Sequence, residues 1–239
     1  MGPKKQTQQS GKSGQKFQFP PSVAGLDSAK ANLYKPQFES VVPGQIFTVS
    51  KFLTADQCRD LIAAITQGLP LETTPLVKSK FYAARVNDRA SISDVQGADL
   101  FYQYFRQLLE FQSQQEMVDG WIVDEMTRSE AFNPNLRFYR YTKGQYFGKH
   151  YDESVGCGQG RATKWTVLIY LSDQGLKGGE TIFYNDAAKG PDKQIATRPV
   201  QGMALFHKHG DDCLLHEAAA VAAGEKWVFR TDVVYDIYK

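Results

Sequence analysis

Four histidines, His150, His207, His209 and His216, are the chain's whole supply of imidazole, and two of them stand in arrangements that suit a metal ion. In His150-Tyr151-Asp152 an imidazole and a carboxylate lie two residues apart, so on an extended strand both project from one face and can take neighbouring positions on one ion. His216, in Leu214-Leu215-His216-Glu217, follows well downstream at the entrance to another expected strand. Two imidazoles and one carboxylate on one side of a metal leave the opposite positions open, which is the facial triad of non-haem iron(II) oxygenases. The same residue types also fit a buried, hydrogen-bonded histidine. A structural zinc site closed by a fourth ligand fits them too, with Cys157 and His209 available for that place.

An open iron site that takes 2-oxoglutarate needs a second part, a fixed cation for the distal carboxylate. Lys226 lies ten residues after His216, in Gly224-Glu225-Lys226-Trp227, where the last strand is expected to start. A buried ammonium without an anion is expensive, and a dicarboxylate supplies that anion. A lysine at a strand end is also a common surface residue. Arg230 shares the parity of Lys226, so it is the alternative anchor, or a partner of Asp232 or of a substrate. Tyrosine hydroxyls suit a carboxylate in an apolar barrel, and Tyr141 and Tyr170 stand on expected core strands.

The elements that must position these groups are mostly strands. Leu136 to Tyr141, Thr166 to Leu171, Thr181 to Tyr184, Met203 to His207 and Trp227 to Tyr235 read as short strands separated by Gly- and Asp-containing turns. Such a series predicts a jelly roll or sandwich, mainly β with supporting helices. Upstream, a strand over Gln45 to Val49 precedes a helix from about Ala55 to Gly68, where Thr54 and Gln57 make a capping box and Cys58, Leu61, Ile62 and Ile65 repeat at helical spacing. A second helix is expected from about Ala98 to Phe111, with Phe101, Tyr104, Phe105 and Leu108 as its apolar stripe. Residues 1 to about 40 are rich in Gln, Ser, Gly, Lys and Pro and are expected to form a disordered tail. The expected division is therefore a tail over 1–40, a strand with supporting helices over 41–130, and the β core over 131–239.

Composition narrows the function classes. With 28 basic and 26 acidic residues the charge is too even for a large one-sign field, so neither nucleic acid nor an anionic membrane is an expected partner. Cys58, Cys157 and Cys213 are far apart and odd in number, which fits free thiols better than a disulfide framework. No apolar run approaches the ~20 residues of a membrane span, and the amino terminus lacks the apolar core of a secretory signal. The expectation is a soluble, intracellular protein, cytoplasmic with the nucleus left open. Nothing in the sequence fixes an oligomeric state.

Four blocks, read in order, resemble the prolyl 4-hydroxylase branch of the Fe(II)/2-oxoglutarate-dependent dioxygenase superfamily. They are the run from Arg137 to Asp152, Thr166 to Asp173, Gly178 to Phe183, and His216-Glu217 followed by Gly224 to Val228. The resemblance covers about residues 130 to 239 and implies a double-stranded β-helix with iron on His150, Asp152 and His216. It also implies 2-oxoglutarate held by Lys226 with help from Tyr141 and Tyr170, dioxygen as cosubstrate, and ascorbate as the reductant that keeps iron ferrous. By analogy the hydroxylated group is a prolyl residue of a protein, with a free amino acid or other small metabolite as the runner-up and an inactive cupin-like binding protein as the rival class. The branch that dealkylates nucleic acid carries two arginines and an asparagine near the cosubstrate, and only Arg230 stands here. The family's basic residue shortly before the Thr166 strand has no unambiguous counterpart. Arg161, Lys164, Trp165 and the loop after Asp152 are the expected entrance.

Overall fold

The computed structural model describes residues 17–76, 83–185 and 190–238. Its main sheet runs in the order Gln37–Val42, Ile46–Ser50, Ala204–Lys208, Arg161–Tyr170, Lys226–Asp236, Asn135–Tyr141, Asp88–Ser93 and Glu72–Thr73. A five-stranded sheet runs in the order Gln194–Thr197, Thr181–Tyr184, Leu215–Ala218, Tyr146–His150 and Arg85–Val86. Every pairing within the two is antiparallel. This is the double-stranded β-helix, mainly β with helices on one side. Strands from before residue 130 and after it share both sheets, so the barrel draws on more of the chain than its expected 131–239 core.

Strand parity sorts the main sheet into two unlike faces. On one face Phe47, Phe206, Phe138 and Phe229 are fully buried against the helices Ala55–Gly68 and Val95–Ser113. The rings interlock: Phe47 stacks on Phe206 at 4.5 Å, Phe105 on Phe206 at 4.9 Å, and Phe101 meets Phe229 at 4.8 Å. This aromatic layer is the main apolar core, and it fixes the sheet that carries the site. On the other face lie Tyr139, Tyr141, Tyr170, Lys226, Val228 and Arg230, turned into the barrel.

Both expected helices form. The Thr54 hydroxyl accepts from Gln57 N while the Gln57 side chain accepts from Thr54 N, so the predicted capping box closes the first, and Cys58, Leu61 and Ile65 are its buried stripe. The second begins three residues earlier than the apolar stripe suggests, at Val95, because the Asp94 carboxylate caps the amides of Gln96 and Gly97. A helix over Gly120–Thr127 and a strand over Ser129–Phe132 were not anticipated.

The tail expected over residues 1 to 40 is corrected from residue 17 onward. Residues 1–16 lie outside the described residues, but Pro21–Ala24 and Ser28–Ala31 are short helices and Gln37–Val42 is an edge strand. Three apolar side chains hold this segment down. Phe17 packs on Phe138, Phe19 on Phe101, and Val23 is fully buried. Gly97 leaves the room, since a Cβ there would lie 2.4 Å from the Phe19 ring. A polar average composition hid three well-placed hydrophobic anchors.

Candidate metal centre

The strands Tyr146–His150 and Leu215–Ala218 are neighbours, and their register sets His150 directly opposite His216. Asp152 follows two residues past His150, beyond the strand end, with its carboxylate turned back between the two imidazoles. Its Oδ1 lies 3.7 Å from His150 Nε2, and its Oδ2 lies 3.7 Å from His216 Nε2. Donor atoms of all three residues fall within 4.8 Å of one another.

Backbone contacts orient both rings. His150 Nδ1 is 2.8 Å from the Gly148 carbonyl and His216 Nδ1 is 2.9 Å from the Leu214 carbonyl. A carbonyl can only accept, so each Nδ1 carries the proton and each Nε2 presents a lone pair to the carboxylate's side of the cavity. Burial, then the neighbouring His216, pushes the His150 imidazolium down to about 4, and burial lowers His216 as well. Both rings are therefore neutral near pH 7, the form that binds a metal. Burial alone would raise the Asp152 carboxyl, yet the Arg230 guanidinium 2.9 Å away holds it well below the usual carboxylate range. Thr166 Oγ1 donates a second bond to Asp152 Oδ2 at 2.8 Å.

A third imidazole reaches the same carboxylate. His207 is buried, its Nε2 is 3.7 Å from Asp152 Oδ2, and that nitrogen has no hydrogen-bond partner among the described residues. Its ring lies 4.6 Å from that of His216. With Cys213 and His216 it makes a second group of clustered donor atoms. Burial pushes the Cys213 thiol up to about 11, so it is protonated and the poorer ligand of the two groups. His207 was not among the expected site residues. Its signal was parity, since Leu205 and His207 alternate with Ala204 and Phe206, which belong to the helix-side core.

The two residues named for closing a zinc site do not join this cluster. Both ring nitrogens of His209 are engaged by threonine hydroxyls, Nδ1 with Thr166 at 3.0 Å and Nε2 with Thr163 at 2.9 Å. Cys157 stands on the strand Gly156–Gly158 with its thiol toward the Val155 carbonyl.

Lys226 sits at the deep end of the cavity. It is 2% exposed, and its Nζ donates to the Gly179 carbonyl at 2.6 Å. Gly178 and Gly179 both take positive φ, 71° and 76°, a backbone path that glycine adopts readily and that brings this carbonyl to the ammonium. The ammonium lies 5.6 Å from the Tyr141 ring centroid and 5.4 Å from that of Tyr170. Burial brings Lys226 down to about 7, with Glu180 opposing. Burial keeps both phenols protonated and able to donate, and the Tyr170 hydroxyl meets Thr181 Oγ1 at 2.7 Å.

Arg230 is brought to Asp152 of the candidate metal centre. Besides Asp152 it lies 3.5 Å from Asp232 Oδ1 and 3.3 Å from Thr166 Oγ1. The expected entrance needs correction. Trp165 is fully buried on the helix side with Nε1 donating to Glu125, Lys164 lies over the Tyr235 ring at 5.3 Å, and the Arg161 side chain bonds Gln159. Trp165 belongs to the odd-numbered face of its strand, which points away from the cavity. Glu153 and Val155, in the loop after Asp152, do line the cavity mouth, together with Arg85, Arg137 and Lys149.

Residues 136–231 match the family model described as the 2OG-Fe(II) oxygenase superfamily, a span that holds all three donor residues, Lys226 and Arg230. Two solved structures share the fold. A viral collagen prolyl hydroxylase from Paramecium bursaria Chlorella virus-1, solved as a 2OG complex, superposes with a TM-score of 0.52 at 20% identity, covering 82% of this chain and 99% of its own. A prolyl hydroxylase from Trichoplax adhaerens, solved with a peptide fragment of the hypoxia inducible factor oxygen degradation domain, gives 0.53 at 15% identity, covering 90% and 89%. At such identities the likeness is one of fold. No curated protein sequence matches the chain significantly. The matched segment lies within the double-stranded β-helix. That segment is similar to the 2OG-Fe(II) oxygenase superfamily, and the chain shares its fold with the two prolyl hydroxylases. No described helix is long and apolar enough to cross a membrane.

Proposed function

We propose that His150, Asp152 and His216 hold iron(II), that Lys226 with Tyr141 and Tyr170 binds the distal carboxylate of 2-oxoglutarate, and that the protein hydroxylates a prolyl residue of a peptide. The observation that carries the metal assignment is the pair of Nε2 lone pairs facing one carboxylate, each fixed by its own Nδ1–carbonyl bond. When bound, iron(II) with 2-oxoglutarate and dioxygen supplies an oxidative decarboxylation to succinate and carbon dioxide coupled to hydroxylation of a C–H bond. The chain's own part is to bind, orient and exclude water.

Lys226 is favoured over Arg230 as the cosubstrate anchor. Arg230 already bonds Asp152 and shares Asp232 with Arg137, whereas the one hydrogen bond of the Lys226 ammonium among the described residues goes to an uncharged carbonyl. A dicarboxylate end would supply the missing anion and restore its proton. Tyr141 and Tyr170 would donate to the same carboxylate, while Phe183, Leu168 and Val228 keep that end dry. Thr166 and Arg230 hold the Asp152 carboxylate in place.

The peptide substrate is supported by fold likeness to two prolyl hydroxylases, one of them with a peptide bound. Three intact donors and an unneutralised buried lysine favour an enzyme over an inactive binding relative. The test is formation of succinate from 2-oxoglutarate with ferrous iron and ascorbate, in the presence and absence of proline-containing peptides. Ascorbate is included as the reductant we expect to sustain turnover. A purified protein that binds neither iron(II) nor 2-oxoglutarate would sink this reading.

A further inference from the structure

Where the cavity opens, three guanidinium groups gather around Tyr139. Arg85 lies over its ring at 4.7 Å. Arg137 and Arg230 stand opposite one another in the sheet, one pleat along the same face from Tyr139 and its partner Val228. Burial would raise the Tyr139 phenol, yet the charges of Arg230, Arg137 and Arg85 together bring it below its ordinary value. Each arginine also keeps a buried nitrogen with no hydrogen-bond partner among the described residues: Arg85 Nη2, Arg137 Nε and Arg230 Nε. Buried guanidinium N–H groups are seldom left unpaired, and three in one place point to a missing acceptor.

Counting charge defines that acceptor. Arg137 pairs with Asp232, and Arg230 is shared between Asp152 and Asp232, so three positive charges face two negative ones and one remains. Once Asp152 serves a metal, the positive surplus only grows. Further out on the mouth, Lys149 and Arg89 add positive charge and Glu153 negative. The opening itself is a cleft of about 750 Å³, room for more than a single residue. The cluster also stands next to the reacting centre. The Arg85 guanidinium packs on Phe147 at 4.8 Å, and Phe147 stacks on the His150 ring at 3.6 Å.

We propose that Arg85, Arg137 and Arg230 form a carboxylate-recognition site at the mouth of the metal cavity, so that the compound hydroxylated carries a carboxylate close to its reacting carbon. Planar guanidinium forks suit a carboxylate, and the surplus positive charge suits an anion. The carboxylate is either the α-carboxylate of a free amino acid or an acidic side chain beside the target residue of a peptide. This assignment rests on the hydroxylase reading given above.

The test is calorimetric binding under anaerobic conditions to the full chain loaded with Mn(II) and saturating 2-oxoglutarate, so that the cosubstrate's own carboxylates are already placed. Three probe pairs differ by one carboxylate: L-proline and L-prolinamide, Ac-Glu-Pro-Gly-NH2 and Ac-Gln-Pro-Gly-NH2, and Ac-Gly-Pro-Glu-NH2 and Ac-Gly-Pro-Gln-NH2. In at least one pair the acid should bind more than about tenfold tighter than its neutral partner, the worth of a charged hydrogen bond. The pair that responds tells a free amino acid from a peptide. In Arg85→Gln that ratio should fall towards one, in Arg85→Lys it should be partly kept, and in Arg161→Gln, outside the site, it should stand. Ratios near one in all three pairs would overturn the assignment. So would an Arg85→Gln protein whose only defect is weaker 2-oxoglutarate binding, since the cluster would then serve the cosubstrate. Failure of Mn(II) or 2-oxoglutarate to bind would strike the metal-centre reading instead, and the same pairs titrated into the metal-free protein would still decide the carboxylate site.

Discussion

Lys226 and Arg230 lie on one face of one strand, four residues apart, yet the protein uses their charges in opposite ways. The ammonium at the deep end has a carbonyl for its hydrogen bond, two aromatic rings beside it and a proton held only to about pH 7. The guanidinium at the mouth has two carboxylates and a threonine. A cation without an anion in a dry pocket is poised for a charged ligand to complete it. A cation already bonded to a carboxylate positions that carboxylate, here Asp152, whatever its remaining N–H groups bind.

The largest expected break is at the metal itself. His216→Ala should lower iron-dependent succinate formation by at least roughly a hundredfold, beyond what loss of an outer partner costs, with a matching loss of bound iron measured by metal analysis. Next is the deep end. Lys226→Ala should raise the 2-oxoglutarate KM by about thirtyfold or more, the cost of removing one partner of a buried charge pair, while kcat at saturation falls much less.

The wild-type protein offers a pH test of the same residue. The ammonium binds the carboxylate, and its proton is depressed to about 7 in the free protein, so below pH 7 the charge is already present. Above pH 7 binding must take up a proton, and the 2-oxoglutarate affinity should fall about tenfold per pH unit until the raised value in the complex is reached. An affinity flat from pH 6 to 9 would show that Lys226 is not the anchor.

The smallest effect, and the sharpest contrast, is expected from Arg230→Gln. Freed on one side, Asp152 should hold iron about tenfold more weakly, at the low end for lost outer support, with the 2-oxoglutarate KM changing less than in Lys226→Ala. A larger cosubstrate defect in Arg230→Gln than in Lys226→Ala would exchange the roles of the two cations.

Much of this site was legible residue by residue. The His150-Tyr151-Asp152 spacing, His216 before its strand, and Lys226 and Arg230 at shared parity are local patterns, and local patterns survive folding because side-chain direction alternates along any strand. The capping box of Thr54 and Gln57 was visible for the same reason. What stayed hidden depended on contacts between distant segments. Arg85, from the far edge of the smaller sheet, meets Tyr139 of the main sheet, and His207 meets Asp152 across the barrel. Phe17 and Phe19 looked like stray aromatics in a polar tail until Phe138 and Phe101 gave them partners.

The sequence by itself therefore determined which side chains are candidates for the chemistry and which face each one shares, since residue type and period-two alternation need no partner to be read. The tertiary structure decided their order in space. Register sets Lys226 opposite Tyr141 and Arg230 opposite Arg137, and so makes one end of the cavity dry and the other charged. Register comes from packing whole sheets, through the aromatic layer of Phe47, Phe206, Phe138 and Phe229 behind the site, and no single stretch of sequence contains it.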